Sequence, residues 1–288
     1  MNFISSETSG NPPNKQIEYI LNLFSFKKFK DAENETRKQI EKYPNSSVLF
    51  NILGAISANK NDLNDAIKNY EKSIKINNNY FQAYNNLGIA FHKSKKIDKA
   101  IINYKIAIDI NQNFAEAYNN LGNAFVDLKN SKESLEYFKK AIKLKPDYAE
   151  AYNGLANANE KLGDKDTSLK YYQKAITIKP DYAEAYNNIG NLLNEMSRFD
   201  ESMFNYKKSI QLNSDNEKLY NNLGNLLNNL GLFDEATEAY MTAIKIKPDY
   251  AKAYSNLLFN LIYKKNFDIN FYLSQAKKFR INCKTNKK

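Results

Sequence analysis

The sequence predicts an all-α protein built as a linear array of antiparallel helix pairs. Three observations predict it. An aromatic recurs every 34 residues at Tyr84, Tyr118, Tyr152, Tyr186, Tyr220 and Tyr254, with Phe50 one period earlier. Each period holds two runs of apolar residues at helical spacing, and a helix breaker closes it.

Inside one period, Tyr118, Leu121, Gly122 and Phe125 stand at i, i+3, i+4 and i+7, on one face of a helix. Leu135, Phe138, Ala141 and Ile142 repeat that pattern for a second helix. Between the runs, Lys129 to Ser131 supply the turn, as Gly163 and Gly231 do in later periods. After the second helix, Lys-Pro-Asp recurs at Pro146, Pro180 and Pro248. Proline cannot continue the helix, and the Asp is expected to cap the next one. Gly122 and Ala141 mark places where a bulky side chain would push the paired helices apart, with Tyr118 and Phe138 expected to fill the space alongside. One helix pair leaves half its apolar surface wet, so stability is expected to accumulate by stacking neighbours.

Composition narrows the chemistry. The chain has 288 residues, 42% hydrophobic and 26% charged, which is enough to bury a core. With one Cys, Cys283, and one His, His92, it has neither a disulfide framework nor a Cys/His zinc site nor a His-centred triad. The start, MNFISSETSGNPPNK, lacks the charged-then-apolar order of a secretory signal, and no apolar run approaches the ~18 residues of a membrane span. A cytoplasmic protein with no catalytic residues, metal, cofactor or membrane partner is the expectation. The formal charge of +10 is uneven: residues 263–288 carry eight basic groups against Asp268, while the other 262 residues carry 34 against 31. Arginine, the usual base reader, is confined to Arg37, Arg198 and Arg280. Nucleic acid is therefore not expected as a partner beyond salt-dependent attraction to the tail.

The run AEAYNNLGNAF at 115–125, followed by Phe138, Ala141 and Pro146, resembles the tetratricopeptide repeat (TPR). On that resemblance, residues 13–46 are a divergent repeat keeping Ala32 and Pro44, six full repeats fill 47–250, and 251–288 form a terminal helix or partial repeat with a basic tail. Residues 1–12 read as a disordered arm. The family implies a right-handed superhelical solenoid whose first helices line a concave groove. Two columns of amides fall on those helices: Asn86, Asn120, Asn188, Asn222 and Asn256, and three residues on, Asn123, Asn157, Asn191 and Asn225. An amide offers both a donor and an acceptor, so such a column suits the backbone of an extended peptide. Codon bias towards Asn on a solvated face is the competing account, although bias alone does not hold a register. Gly154 interrupts the first column and Ile52 ends it.

The phrases at Lys145 to Asn157 and Lys179 to Asn191 also resemble the repeats of the O-linked N-acetylglucosamine transferases and their SPINDLY-like relatives. That resemblance implies that the first amide column holds an acceptor polypeptide. The segment from Ala251 to Phe279 is similar to those enzymes' connector to a catalytic half, or is a solubilising cap helix. The catalytic half itself is absent, so the chain is not expected to be an enzyme by itself. Two functions remain: a scaffold binding an extended polypeptide, or the non-catalytic, acceptor-recruiting half of such a glycosyltransferase. The bound protein and the oligomeric state are not legible.

Overall fold

The computed structural model describes residues 10–284. The arm expected over 1–12 lies outside the described residues as far as residue 9. Of the remainder, Pro12 is buried and Asn11 Oδ1 accepts a hydrogen bond from Ser46 Oγ at 2.5 Å. The last four residues of the basic tail also lie outside.

Sixteen α-helices and no strand occur among the described residues. They run in pairs: α1 (Asn14–Ser25) with α2 (Phe29–Lys42), α3 (Ser47–Asn59) with α4 (Leu63–Ile76), α5 (Phe81–Lys93) with α6 (Ile97–Ile110), and α7 (Ala115–Asp127) with α8 (Ser131–Leu144). The series continues with α9 (Ala149–Lys161) and α10 (Lys165–Ile178), α11 (Ala183–Glu195) and α12 (Phe199–Leu212), α13 (Glu217–Asn229) and α14 (Phe233–Ile246), and α15 (Ala251–Ile262) and α16 (Ile269–Lys284). From α3 to α15 the first helices begin every 34 residues. The molecule is an all-α repeat solenoid.

Two compact units divide the chain, one ending at Ala158 and the other starting at Asn159. In the first unit, α3 packs on α4, α4 on α5 and α5 on α6, and the first helices α3, α5 and α7 also touch in sequence. The second unit repeats this, with α11, α13 and α15 touching in sequence. Among the described residues, no comparable contact joins successive second helices, so first helices occupy the inner side of the bend in each unit.

The core is a column of second-helix aromatics set against small first-helix residues. Phe138 is fully buried, and a Cβ on Gly122 would stand 2.8 Å from its ring, so this glycine lets the two helices close on the aromatic. Tyr118, expected to share that role, is only half-buried. Alanine fills the inner row instead, with Ala117 and Ala151 fully buried. Where serine replaces the small residue of the second helix, its hydroxyl is satisfied across the pair: Ser73 Oγ donates to the Ser47 carbonyl and Ser209 Oγ to the Ala183 carbonyl, both at 2.7 Å.

The turn expected within each pair is present, and the expected Asp cap is not. The turn within each pair places one residue in the left-handed region every 34 residues, at Lys27, Asn61, Lys95, Lys129, Gly163, Ser197 and Gly231. The Asp of Lys-Pro-Asp does not cap: Tyr182 and Tyr250 occupy the N-cap positions of α11 and α15 without a side-chain bond, and Asp181 and Asp249 fall one residue too early. These tyrosines are half-buried, and Lys145, Lys179 and Lys247 Nζ lie 4.9, 4.9 and 5.9 Å from the ring centroids of Tyr148, Tyr182 and Tyr250.

Candidate functional site

The inner side of the first unit carries a cleft of about 690 Å3 between the first helices α5 and α7. Asn85, Asn86 and Asn120 line it together with Phe81, Phe114 and Tyr148, and Glu116 and Lys145 stand at its edge. The aromatic walls come from the ends of the inter-repeat turns. Sequence reading missed them because it followed the amide columns alone; the signal available was the row Tyr80, Phe114, Tyr148 and Tyr182, one period apart. Burial, and next the carboxylates of Glu116 and Glu150, push the Tyr148 phenol upward, so it stays a neutral hydroxyl.

The amides are not free. Asn86 Nδ2 donates to Asn51 Oδ1, and Asn120 Nδ2 to Asn85 Oδ1, each at 2.9 Å across 35 residues. In the second unit Asn222 Nδ2 donates to Asn187 Oδ1 at 3.0 Å, and Asn256 Nδ2 to Asn221 Oδ1 at 2.9 Å. Each bond clasps one first helix to the first helix before it, joining adjacent columns of asparagine. Asn85 is 6% exposed and Asn221 fully buried, so the accepting amides belong to the scaffold. The donating amides of Asn86, Asn120 and Asn222 keep a carbonyl oxygen and a second N–H, now held in a fixed orientation, whereas Asn256 keeps its carbonyl oxygen. Asn51 is itself oriented by donating to Tyr80 Oη at 3.3 Å, and burial pushes that phenol up to about 12.

The column three residues on divides by what stands behind it. Asn191 Oδ1 accepts from Tyr206 Oη at 2.7 Å, and Asn225 Oδ1 accepts from Tyr240 Oη and Asn256 Nδ2, both at 2.9 Å. These two are tied into the wall. Where the second-helix aromatic is Phe138, which has no hydroxyl, Asn123 is exposed; Asn157 is half-buried. Asn188 accepts a long 3.5 Å bond from its neighbour Asn187.

One rung of the first unit is broken. Gly154 takes the position of the donating amide, and a Cβ there would meet the Phe138 ring at 2.3 Å. Its intended acceptor, Asn119 Oδ1, is left buried with no hydrogen-bond partner, the residue being only 5% exposed. His92 pairs with Asp127 across 35 residues at 2.8 Å. No group of three or more metal-ligating side chains, and no helix long and apolar enough to cross a membrane, occurs among the described residues.

The tetratricopeptide repeat model matches residues 115–148, 149–182, 183–216 and 217–250, and a second TPR repeat model matches 54–95 and 90–129. The chain belongs to the tetratricopeptide repeat family. Among solved structures, this TPR protein is similar to a chain of the APC/C hetero-tetramer Cut9–Hcn1, with a TM-score of 0.75 and 16% identity over 84% of its length and 48% of the neighbour's. It thus spans about half of that chain. A tetratricopeptide repeat protein from Parabacteroides merdae gives a TM-score of 0.69 at 18% identity, covering 86% of this chain and 98% of that one. The TPR protein TTC0263 of Thermus thermophilus gives 0.58 at 21%, covering 63% and 99%. At these identities the likeness is one of fold. No curated protein matches the chain in sequence. The TPR array makes the chain a protein–protein interaction scaffold, and the described residues show no separate catalytic domain.

Proposed function

We propose that this TPR protein holds an extended polypeptide along the inner side of its first helices, with Asn86, Asn120, Asn188, Asn222 and Asn256 facing the peptide backbone. The observation that carries this reading is the amide clasp. By donating one N–H to the preceding helix, Asn86 and Asn120 in one unit and Asn222 in the other keep a carbonyl and an N–H in fixed orientation, so less ordering is required when a peptide unit pairs with them, while Asn256, whose two N–H groups go to Asn221 and Asn225, offers its carbonyl. Asn123 and Asn157 add groups less tied to the wall, whereas Asn191 and Asn225 offer less because their carbonyls are already used. The same reading takes residues 13–46 as a divergent repeat, 47–250 as six repeats and 251–288 as a terminal segment, in a cytoplasmic protein.

Backbone recognition is tested with unstructured polypeptides, each compared with an analogue N-methylated at alternate residues. Methylation removes backbone donors and leaves side chains unchanged, so affinity by fluorescence anisotropy should fall. Equal binding of parent and methylated peptides would refute backbone pairing. The transferase-recruiting alternative is favoured by the phrases at 145–157 and 179–191. It uses the same amides and requires that a family catalytic half, joined after Tyr263, glycosylate long acceptors better than short ones.

A further inference from the structure

The C-terminal helix is two-sided. Its inner side is packed: Phe279 lies 5.6 Å from the Tyr254 ring, Asn282 Nδ2 donates to Tyr254 Oη at 3.0 Å, and Phe271 and Tyr272 rest on the last core cluster. Asp268 caps it, accepting from the backbone N–H of Asn270 at 2.9 Å and of Phe271 at 3.1 Å. Its outer side presents Ile269, Leu273, Lys277 and Ile281 at i, i+4, i+8 and i+12. Phe267 and Tyr263, in the turn before it, are about half exposed.

Two independent quantities converge on this segment. Among the described residues, seven of the sixteen exposed large hydrophobics fall between Phe259 and Ile281. Five basic residues fall there too against the single acid Asp268, with Lys265, Lys277, Lys278 and Arg280 all exposed, whereas Lys264 is held by Asp234 at 2.5 Å. Scattered surface hydrophobics need no explanation, but aromatic and aliphatic groups bracketed by unpaired cations on one short turn and helix do.

We propose that the α15–α16 turn and the outer face of α16 dock on the surface of an anionic phospholipid bilayer. Tyr263, Phe267, Ile269 and Leu273 enter the boundary between headgroups and acyl chains, while Lys265, Lys277, Lys278 and Arg280 meet the phosphates and carboxylates above it. A lipid surface suits this chemistry better than an acidic protein. Three of the four free cations are lysines, whose point charge attracts anions without demanding one orientation, and the apolar groups stand out from the surface rather than lining a pocket. The sequence expectation of no membrane partner rested on the length of a span; a helix lying in the interface needs none.

The test is sedimentation of the full chain with vesicles of phosphatidylcholine alone or mixed with phosphatidylserine. Binding is expected only to the mixed vesicles and weakens as salt rises. Reversal of two cations, K277E/K278E, should lower apparent affinity by roughly tenfold or more, and F267S/L273S should lower it as well. These side chains are exposed, so circular dichroism should be unchanged in both variants. No binding to the mixed vesicles overturns the proposal. So does unchanged binding by either variant, or capture by polyglutamate that K277E/K278E abolishes and F267S/L273S leaves intact, which would assign the surface to an acidic protein.

Discussion

Alanine at Asn120 and alanine at Asn119 change neighbouring amides with opposite expected effects. Asn120 Nδ2 donates to Asn85 Oδ1 at 2.9 Å, and Asn85 is 6% exposed. Removing Asn120 strands a buried carbonyl, which costs about 1–3 kcal/mol. Removing Asn85 leaves a donor that water still reaches, so Asn85→Ala is expected to cost only about 0.5–1.5 kcal/mol, the net worth of one hydrogen bond. The double variant loses both partners together, so the single costs should not add, and the coupling is expected to be about 0.5–1.5 kcal/mol. Asn119 Oδ1 is already buried without a partner because Gly154 stands where its donor would be. Asn119→Ala should therefore lie within about 0.5 kcal/mol of the parent, or be more stable. Urea unfolding followed by circular dichroism gives the totals. Amide hydrogen exchange in α5 and α7 localises them, which matters because repeat arrays open piecewise. A cost at Asn119 equal to that at Asn120, or a coupling below about 0.3 kcal/mol for the Asn85–Asn120 pair, would refute the clasp as a stabilising element.

Lys129 adopts φ 61° and Gly231 φ 74°, with nothing near the Cβ position of the latter. Lys129→Gly should raise stability by about 0.5–1 kcal/mol and Gly231→Ala lower it by about 1; thermal unfolding shifts of the same sign would contradict this. Phe138→Ala should cost about 3–5 kcal/mol, and Tyr118→Ala clearly less because Tyr118 is half-buried; equal costs in urea would place Tyr118 in the core after all. Gly154→Asn supplies the missing donor but drives a Cβ to 2.3 Å from the Phe138 ring. It should destabilise by about 1–3 kcal/mol, and less when Phe138 is leucine; equal cost in both backgrounds would clear the ring of blame. Burial raises the Glu160 carboxyl above its ordinary 4.5, although Tyr172 Oη donates to it at 2.9 Å. The folded chain then keeps a proton that the unfolded chain releases, so this contribution to stability is complete below pH 4.5 and is lost as pH rises through the folded value. Glu160→Gln should flatten that fall; an unchanged slope of stability against pH would remove Glu160 as its source.

The fold was legible because every repeat solves the same packing problem. A column such as Leu53, Leu87, Leu121 and Leu155 reports one environment four times over, and a register confirmed by repetition overrides weak local propensity. The turn was legible for the same reason: glycine at Gly163 and Gly231 announces a left-handed residue that Lys95 and Lys129 adopt against preference. The cap was not. Asp has the right chemistry and stands near the helix start, but the helix begins after Tyr182 or Tyr250, and a shift of one residue moves the carboxylate off the N–H it would accept from. Capping depends on register at single-residue precision, which a 34-residue period does not resolve.

The amides show where periodicity misleads. Two adjacent columns of asparagine, Asn85 and Asn119 in one and Asn86 and Asn120 in the other, invite a single account of both. Because the columns differ by one residue and first helices touch their neighbours, a donor in one column meets an acceptor 35 residues earlier, not 34. Amides of both columns are therefore spent holding helices together, and what faces a partner is a set of orientations rather than a count of asparagines. The departure at Gly154 is the clearest consequence. In sequence it is one missing amide in a column. In the structure it answers Phe138, whose ring leans on α9 as well as on Gly122, and it leaves the Asn119 carbonyl without a donor. Adjacent repeats that depart from the pattern at an aromatic, Phe138, and at an amide replaced by glycine, Gly154, have changed one packing arrangement, not two unrelated positions, and only the cross-repeat contact joins them.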